Sequence, residues 1–367
     1  MESSVLFENR DKTVVIIDVP RSLEEAQVLP GQSVTRHIVS SSPVRTPWQV
    51  PEPKNARNST KSASPSAAIA ELMTLESIKS ALEIARASHG GPWCLSRVTR
   101  QKQTEEFSQN SKTGAAANTV ESRKRKHTLA PVDSEKNRDT TSASAENESI
   151  FIPESSHHIQ GTIESQRNTF LKTAPQFDLI VLDPPWPSRS VKRKSNSYAT
   201  AYDIEEARNL LSQVPVLSHL KPGGLVAVWV TNKAAVTDLL TAPGGIFAQW
   251  GVEPIGEWIW LKVTSTGEPV LNIESIWRKP WERLLIARKR GSFAPLPVSK
   301  RVIIGVPDVH SRKPNLRELF NDILPGNCQG LEVFARNLTA GWWSWGNEVL
   351  FFQHRYHWVA VEDERTH

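Results

Sequence analysis

The chain has 367 residues, a formal net charge of +5 and only two cysteines, Cys94 and Cys328. The cysteines stand far apart and outside any zinc-ligand spacing, which argues against a disulfide framework and predicts no metal site. No apolar stretch approaches the roughly 20 residues that a membrane-spanning helix needs, and the first residues lack the apolar part of a secretion signal, so we expect a soluble protein.

Composition divides the first part of the chain into segments. Residues 1–39 contain one apolar strand, 14–17, followed by Asp18 and Pro20 as turn signals. Residues 40–97 begin as a linker rich in Pro, Ser and Asn and continue as a helix over 67–87. The apolar positions of this helix are spaced for one face, which favours a packing or partner element: Ile69, Leu72, Met73, Ile78, Leu82 and Ile84.

Residues 98–149 are polar and charged, with almost no aromatic side chains, which predicts a disordered linker. The basic cluster at 122–127 is typical of a nuclear localisation signal, with a solvated run of charge as the alternative. We therefore expect a nuclear location.

Residues 150–360 alternate between strand and helix patterns. Asp203 with Glu206 begins a helix through about residue 211, and further helices are predicted after 231–232 and over 315–323. Apolar runs predict strands at 177–182, 225–230, 257–263, 283–287, 301–306 and 330–334. Strands separated by helices are typical of an α/β fold with a doubly wound, mostly parallel sheet.

The strand at 177–182 ends abruptly in Asp183, Pro184, Pro185 and Trp186, at the edge where α/β sheets place binding groups. The Asp183 carboxylate and the Pro184 carbonyl can each accept one N–H of an exocyclic amine, while the prolines fix the backbone and add no donor. Trp186 would cover the face of the base. The motif therefore suits methyl transfer to an adenine amine; the alternative is a buried strand ended by proline, with a surface tryptophan.

A basic cluster follows this motif directly: Arg189, Lys192, Arg193 and Lys194. Beside a base-binding pocket, such a loop would hold the phosphate backbone of a nucleic acid without reading its sequence. An ordinary solvated loop is the alternative.

Ordered motifs make the chain similar to a known family. They stand at 183–186 (DPPW), 190–193 (SVKR), 279–282 (KPWE), 310–314 (HSRKP), 332–337 (EVFARN) and 341–350 (GWWSWGNEVL). They resemble the MT-A70 family of S-adenosylmethionine-dependent N6-adenine methyltransferases of RNA and DNA, and the last two most resemble its methyltransferase-like protein 4 subfamily. The resemblance implies a Rossmann-like methyltransferase sheet with a circularly permuted motif order, in which the acceptor motif precedes the cofactor-binding strand.

The resemblance also implies which residues meet S-adenosylmethionine. They are Asp183, Lys313 for the methionine carboxylate, Arg336 and Asn337 for the adenosine, and Asn347 and Glu348 for the ribose. A lysine suits a carboxylate, and Glu or Asn suits a diol. Two alternatives stay open: Arg336 would pair with an acid, or Asn347 would cap a helix beginning at Glu348.

One departure from the family pattern concerns an acid near the cofactor. The family places an Asp on the strand before the signature, whereas Glu164 is the only acid in residues 158–164. Either Glu164 substitutes for that Asp, or the contact between this acid and the cofactor is lost. Inactive members of the family lose the Asp or the Trp of the signature, and this chain keeps both. We therefore expect an active enzyme, with an inactive nucleic-acid-binding scaffold as the alternative.

The resemblance leaves the substrate polymer open. The subfamily points to an adenosine or 2′-O-methyladenosine in small nuclear RNA, or to DNA adenine, and it leans toward monomers without a known protein partner. Related Asp-Pro-Pro-aromatic motifs also serve cytosine N4 and protein amides.

Overall fold

The computed structural model describes residues 2–50, 65–100, 150–187, 203–275, 277–292 and 298–361. Its strands are, in chain order, β1 (Val5–Glu8), β2 (Val14–Ile17), β3 (Arg36–Ser40), β4 (Val98–Thr99), β5 (His157–Gln160), β6 (Phe177–Leu182), β7 (Leu220–Val230), β8 (Val252–Lys262), β9 (Trp281–Lys289), β10 (Arg301–Gly305), β11 (Gly330–Val333), β12 (Trp343–Gly346) and β13 (Trp358–Ala360).

The helices are α1 (Val19–Glu25), α2 (Pro65–Ser88), α3 (Ile163–Thr173), α4 (Ile204–Ser212), α5 (Val216–His219), α6 (Ala234–Thr241), α7 (Ile246–Gln249) and α8 (Arg317–Phe320), with 3₁₀ turns at Phe351–Gln353 and Arg355–His357. The start of α4 is as predicted, because the Asp203 side chain accepts the backbone N–H of Glu206 at 2.9 Å. Among these helices none is long and apolar enough to span a membrane.

Ten strands form one sheet in the order β1-β2-β10-β8-β9-β7-β6-β11-β12-β5. The central strand β6 runs parallel to both of its neighbours, β7 and β11. Strand β9 runs antiparallel between β7 and β8, and β1 is antiparallel to β2 at one edge; the other neighbours are parallel. The predicted mostly parallel α/β sheet is confirmed, with β11 beside β6 although it comes much later in the sequence.

The two faces of this sheet bury separate apolar clusters, because successive side chains of a strand point to opposite sides. On β6, Ile180 packs on the face that holds Phe170 of α3. Its neighbour Leu179 packs on the other face, with Trp258 and Trp260 of β8. The strand that carries the acceptor motif is therefore buried on both sides, which fixes the position of its end.

The N-terminal segment is part of the same sheet. The predicted strand at 14–17 is confirmed as β2, and it is fully buried beside β10. Asp18 then caps α1 by accepting the backbone N–H of Arg21 at 2.8 Å. A second, three-stranded sheet in the order β13-β3-β4 joins this segment to the end of the chain. The domain boundaries drawn from composition stay a prediction.

The helix predicted over 67–87 is confirmed as α2, but its single apolar face is wrong. Ile78 and Leu82 are buried, whereas Ile69, Leu72 and Met73 are exposed. The nine positions from Ile69 to Ile78 amount to about two and a half helical turns, which places the two groups on opposite sides. The helix therefore packs on the protein along the side that carries Ile78 and Leu82, and the side that carries Ile69, Leu72 and Met73 faces solvent.

Three other predicted elements differ from the structure. The helix expected over 315–323 shortens to α8. Helix α6 has Lys233 as its N-cap residue, because the Asn232 side chain instead donates to the Trp281 carbonyl at 2.6 Å. Strand β11 matches the last of the predicted strands, at 330–334, but two more strands, β12 and β13, follow it.

Candidate active site

Asp183 lies at the carboxyl edge of the large sheet, directly after β6. Its backbone N–H donates to the Val333 carbonyl of β11 at 3.4 Å. Leu182, the residue before it, pairs in register with Val333 on one side and Val228 of β7 on the other. The Asp183 carboxylate therefore stands on backbone that is held from both sides.

Two other sequence motifs bring charged groups to this carboxylate. The Lys313 Nζ lies 3.0 Å from the Asp183 Oδ2 and 3.1 Å from the Glu282 Oε2. The second Glu282 oxygen pairs with the Lys262 Nζ, at the end of β8. Two carboxylates and two ammonium groups thus form one network, which we call the Asp183 charge network.

Burial and ion pairing act against each other in this network. Burial lowers the pKa of Lys313, but the Asp183 and Glu282 carboxylates outweigh it and raise that pKa. Burial would raise the pKa of Glu282, but Lys313 and Lys262 bring it down to about 2. The pKa of Asp183 is raised, mainly by burial with Glu282 adding to it, while Lys313 opposes the shift. Because the charged Lys313 is in direct contact, we treat Asp183 as an ionised acceptor at neutral pH.

Both predicted acceptors keep a free lone pair. The Asp183 Oδ2 faces Lys313, and within the described residues no hydrogen bond reaches the Oδ1. The Pro184 carbonyl accepts the backbone N–H of Trp186 at 2.8 Å, which leaves its second lone pair. The motif therefore presents acceptor positions from two successive residues, as its sequence predicts.

Trp186 is anchored in the core rather than displayed on the surface. Its side chain is 8% exposed and packs in the cluster that contains Ile180. Its indole N–H donates to the Trp229 carbonyl of β7 at 2.7 Å. The alternative of a surface tryptophan is therefore wrong, and stacking of its remaining exposed edge on a base stays a prediction.

One pocket collects four of the predicted residues: Asp183, Lys313, Arg336 and Asn337. Two further residues of its wall, Ser311 and Phe334, adopt the left-handed backbone conformation, with φ of 68° and 61°. This conformation is strained for residues other than glycine, and such strain concentrates at functional sites. Ser311 stands two residues before Lys313, and Phe334 stands two residues before Arg336.

Arg336 pairs with another predicted cofactor residue. Its Nε lies 3.0 Å from the Glu348 Oε2, and its guanidinium stacks on Phe351 at 4.4 Å. The alternative that Arg336 pairs with an acid is thus observed. Asn347 and Glu348 lie in a turn after β12, and no helix begins at Glu348. The cofactor contacts of these residues stay predictions.

The sequence motifs included Glu332 without assigning it a role, and the structure places it in the wall of the pocket. Burial raises its pKa to about 8, and the nearby charge of Asp183 adds to the shift. The alternation of side chains along a strand is the sequence signal that could have separated Glu332 from its neighbours. Leu331 and Val333 point into one apolar cluster, so Glu332 between them points to the other face of the sheet. A carboxyl group that is protonated at neutral pH can both donate and accept hydrogen bonds in this pocket.

Arg312 also lines the pocket; the motif at 310–314 includes it, but the sequence analysis gave it no role. It is 3% exposed, donates to the Val39 carbonyl at 3.1 Å, pairs with Asp308 and stacks on Phe352 at 4.5 Å. Its buried Nε and Nη2 find no hydrogen-bond partner in the described part of the chain. Unpaired buried donors are costly, so these groups suit an anionic or carbonyl ligand in the pocket.

The strand before the signature is β5, and it carries no acid at its end. Its last residue, Gln160, pairs in register with Gly346 of β12. Thr162 then caps α3, whose first turn contains the exposed Glu164. Whether Glu164 substitutes for the family Asp stays a prediction.

Two groups of basic residues fall outside the described residues. These are the loop residues Arg189, Lys192, Arg193 and Lys194, and the cluster at 122–127. Their predicted roles in phosphate binding and nuclear localisation stay predictions. Among the described residues, no group of His, Cys, Asp and Glu is arranged to hold a metal ion.

A mostly parallel Rossmann-like sheet with Asp-Pro-Pro-Trp at the carboxyl end of its central strand defines an amino-methylating methyltransferase. The chain belongs to the MT-A70 family, whose model matches residues 177–348. It is 44% identical to the N6-methyladenosine RNA methyltransferase MTA1 of Cryphonectria parasitica, over 97% of this chain and 94% of that protein. The MTA1 of Pyricularia oryzae is also 44% identical, over 99% and 98%.

The N(6)-adenine-specific methyltransferase METTL4 of Homo sapiens is 38% identical, over 51% of this chain and 40% of that protein. The family and the enzyme class, an S-adenosylmethionine-dependent N6-adenine methyltransferase, are thereby confirmed. The motifs pointed to METTL4, whereas the similarity to MTA1 has higher identity and extends over nearly the whole chain.

Proposed function

We propose that the protein methylates N6 of adenosine in RNA. The observation that carries this proposal is the pair of acceptors, Asp183 Oδ1 and the Pro184 carbonyl, at the end of β6 beside the pocket that holds Lys313. The choice of RNA as the substrate is supported by the two relatives that match nearly the whole chain, both named as N6-methyladenosine RNA methyltransferases.

The acceptors have a definite task in this chemistry. The adenine amine is a weak nucleophile because its lone pair is delocalised into the ring, and positive charge develops on its nitrogen during attack. Asp183 and Pro184 would each accept one N–H, which aims the lone pair away from them and stabilises the developing charge. Lys313 and Glu282 hold the Asp183 carboxylate in place, so this electrostatic environment exists before the substrate binds.

The side chains that line the pocket have the chemistry to bind the cofactor that this class uses. S-adenosylmethionine, when bound, would supply an electrophilic methyl group on sulfur: the amine nitrogen would bond to the methyl carbon as the carbon–sulfur bond breaks, leaving S-adenosylhomocysteine and releasing one N–H proton. Lys313 uses two of its three N–H groups on Asp183 and Glu282 and keeps one for a carboxylate, beside the two unpaired nitrogens of Arg312. Glu332 and Asn337 offer the oxygen and amide groups that suit a ribose diol.

The finer substrate is also a proposal. The resemblance to the METTL4 subfamily favours an adenosine or 2′-O-methyladenosine in small nuclear RNA, and the basic cluster at 122–127 favours action in the nucleus. DNA adenine is the second candidate, because METTL4 is named as an adenine-specific methyltransferase without a stated polymer. We propose that the protein acts as a monomer.

The test is transfer of labelled methyl groups from S-adenosylmethionine to adenine-containing RNA and single-stranded DNA of the same sequence, with mass spectrometry of the released nucleosides. RNA substrates with and without a 2′-O-methyl group on the target adenosine distinguish adenosine from 2′-O-methyladenosine as the preferred substrate. We expect N6-methyladenosine from RNA and none with Asp183→Ala. Product from DNA alone would overturn the RNA assignment. A folded protein that methylates neither polymer would favour the inactive scaffold.

A further inference from the structure

A second concave surface lies beside the active site, and no role in the reaction described above uses it. It is formed by the segment at 47–50, by α2 and by the loop between β8 and β9. We call it the Trp48–Trp277 groove, and its lining includes Trp48, Val50, Leu82, Arg86, Trp277 and Arg278.

The groove exposes two large aromatic rings on anchored backbone. Trp48 is 47% exposed and Trp277 is 41% exposed, whereas Trp186 is almost fully buried. The backbone N–H of Trp48 donates to the Val270 carbonyl at 2.8 Å, and that of Trp277 donates to the Ser275 Oγ at 3.2 Å. Exposed indoles held in this way offer flat stacking surfaces at a small cost in ordering.

The charge of the groove is positive. Arg86 reaches only the Gly267 carbonyl, at 3.4 Å, and the Arg278 guanidinium has no ion-pair or hydrogen-bond partner among the described residues. Glu268 is the acid in the lining. Two nearby acids are already neutralised, because Glu71 pairs with Lys279 and Glu274 pairs with Lys79.

The groove lies on the same edge of the sheet as Asp183. The β8–β9 loop leaves β8 at Lys262 and enters β9 at Trp281, and Lys262 and Glu282 both belong to the Asp183 charge network. Arg278 precedes Glu282 by four residues, so their Cα atoms are at most about 14 Å apart. A strand that places one adenine at Asp183 thus needs only a few nucleotides to reach the groove.

We propose that the Trp48–Trp277 groove binds single-stranded RNA next to the target adenosine, with bases stacked on Trp48 and Trp277 and phosphates at Arg86 and Arg278. Proteins that bind single strands without reading their sequence combine aromatic faces, on which bases stack, with positively charged side chains that hold the phosphates. This inference rests on the proposed function, because it assigns the neighbouring part of the same substrate.

The first test is binding of a fluorescent single-stranded RNA of about ten nucleotides, a length within the range of single-strand sites, to the full chain. We expect Trp277→Ala and Arg278→Glu each to weaken binding about 5- to 50-fold, with a smaller salt dependence for Arg278→Glu. Leu171→Ala and Lys172→Glu are the matched controls, since both side chains are exposed near the end of α3, before β6 begins. These controls should bind like the original protein.

The second test separates this inference from the proposed function. Methyl transfer to the same RNA and to adenosine monophosphate is measured for the original protein and Trp277→Ala. We expect a raised KM with unchanged kcat for the RNA, and no change for the mononucleotide. If both groove variants methylate RNA with unaltered binding and KM, the proposed RNA site is overturned. That result is also expected if a protein partner or another segment of the chain occupies the groove. Groove-dependent RNA binding without methylation would instead contradict the proposed function and leave the groove supported.

Discussion

The active-site pocket and the Trp48–Trp277 groove lie on one edge of the same sheet, yet they differ in the pairing of their charged side chains and in the exposure of their aromatic rings. Lys313 in the pocket is held between two carboxylates, and Trp186 of the neighbouring acceptor motif is buried in the core. In the groove, Arg278 has no ionic partner among the described residues and Trp277 is exposed. The difference teaches that a site for chemistry needs preorganised charge, whereas a site for holding substrate needs free surface. Changes in the pocket should therefore alter stability and rate, and changes in the groove should alter binding alone.

Among the changes that keep a side chain of similar size, the largest loss of stability is expected for Lys313→Met. It leaves the Asp183 and Glu282 carboxylates close together without the cation between them, at a cost of about 3 kcal/mol in the free energy of unfolding. Urea denaturation at neutral pH measures it. Lys221→Met is the control, because the Lys221 side chain is more exposed than that of Lys313 and its partner Asp178 keeps the backbone N–H of Gln329 as a donor, so the loss should be less than about 1 kcal/mol. Equal stability of the two variants would remove the claimed difference between buried and exposed charge.

The next effect concerns pH. The folded-state pKa of Glu332 is raised to about 8 by burial, above its unfolded value, so its contribution to stability is full below about pH 4 and is lost as the pH rises to 8. Glu332→Gln cannot ionise and should be more stable at pH 8 by on the order of 3 kcal/mol, with little difference at pH 4. Denaturation at both pH values checks this, and a gain of equal size at pH 4 and pH 8 would contradict it.

A smaller effect is expected for Trp186→Phe. The change keeps a buried ring but removes the indole N–H that donates to the Trp229 carbonyl, which should cost about 1–2 kcal/mol. Trp186→Ala, which also leaves a cavity, should cost about 3–5 kcal/mol. Thermal unfolding of both variants measures the difference. Two variants as stable as the original protein would mean that Trp186 is not part of the core.

The smallest effect on stability is expected in the groove. Trp277→Ala removes an exposed side chain and should change the free energy of unfolding by no more than about 0.5 kcal/mol. The same urea denaturation measures it. A loss comparable to that of Lys313→Met would show that the indole supports the fold rather than a ligand.

Elements with strong local signals could be predicted from the sequence. The run at 14–17 is wholly apolar and forms β2, and the run before Asp183 forms β6. Asp203 caps α4 as its spacing with Glu206 indicates. The wrong prediction of a single apolar face for α2 could have been avoided, since helix geometry fixes the angle per residue.

The partners within the site could not be predicted in the same way. Glu282 and Lys313 come from distant motifs, and their meeting at Asp183 depends on the order of strands in the sheet. Glu332 reaches the pocket because it pairs in register with Val181, a relation between strands that no local pattern specifies. The motifs therefore named residues of the site, while the sheet determined their contacts.

The central claim is that the Asp183 carboxylate orients the adenine amine, and Asp183→Asn tests it most directly because the side chain keeps its size. The measurement is the rate of methyl transfer to RNA at saturating cofactor, with calorimetric titration of S-adenosylmethionine on the same sample. We expect cofactor binding to persist while the rate falls by a factor of about 10² to 10³. A rate within tenfold of the original protein, with the cofactor bound, would contradict the account.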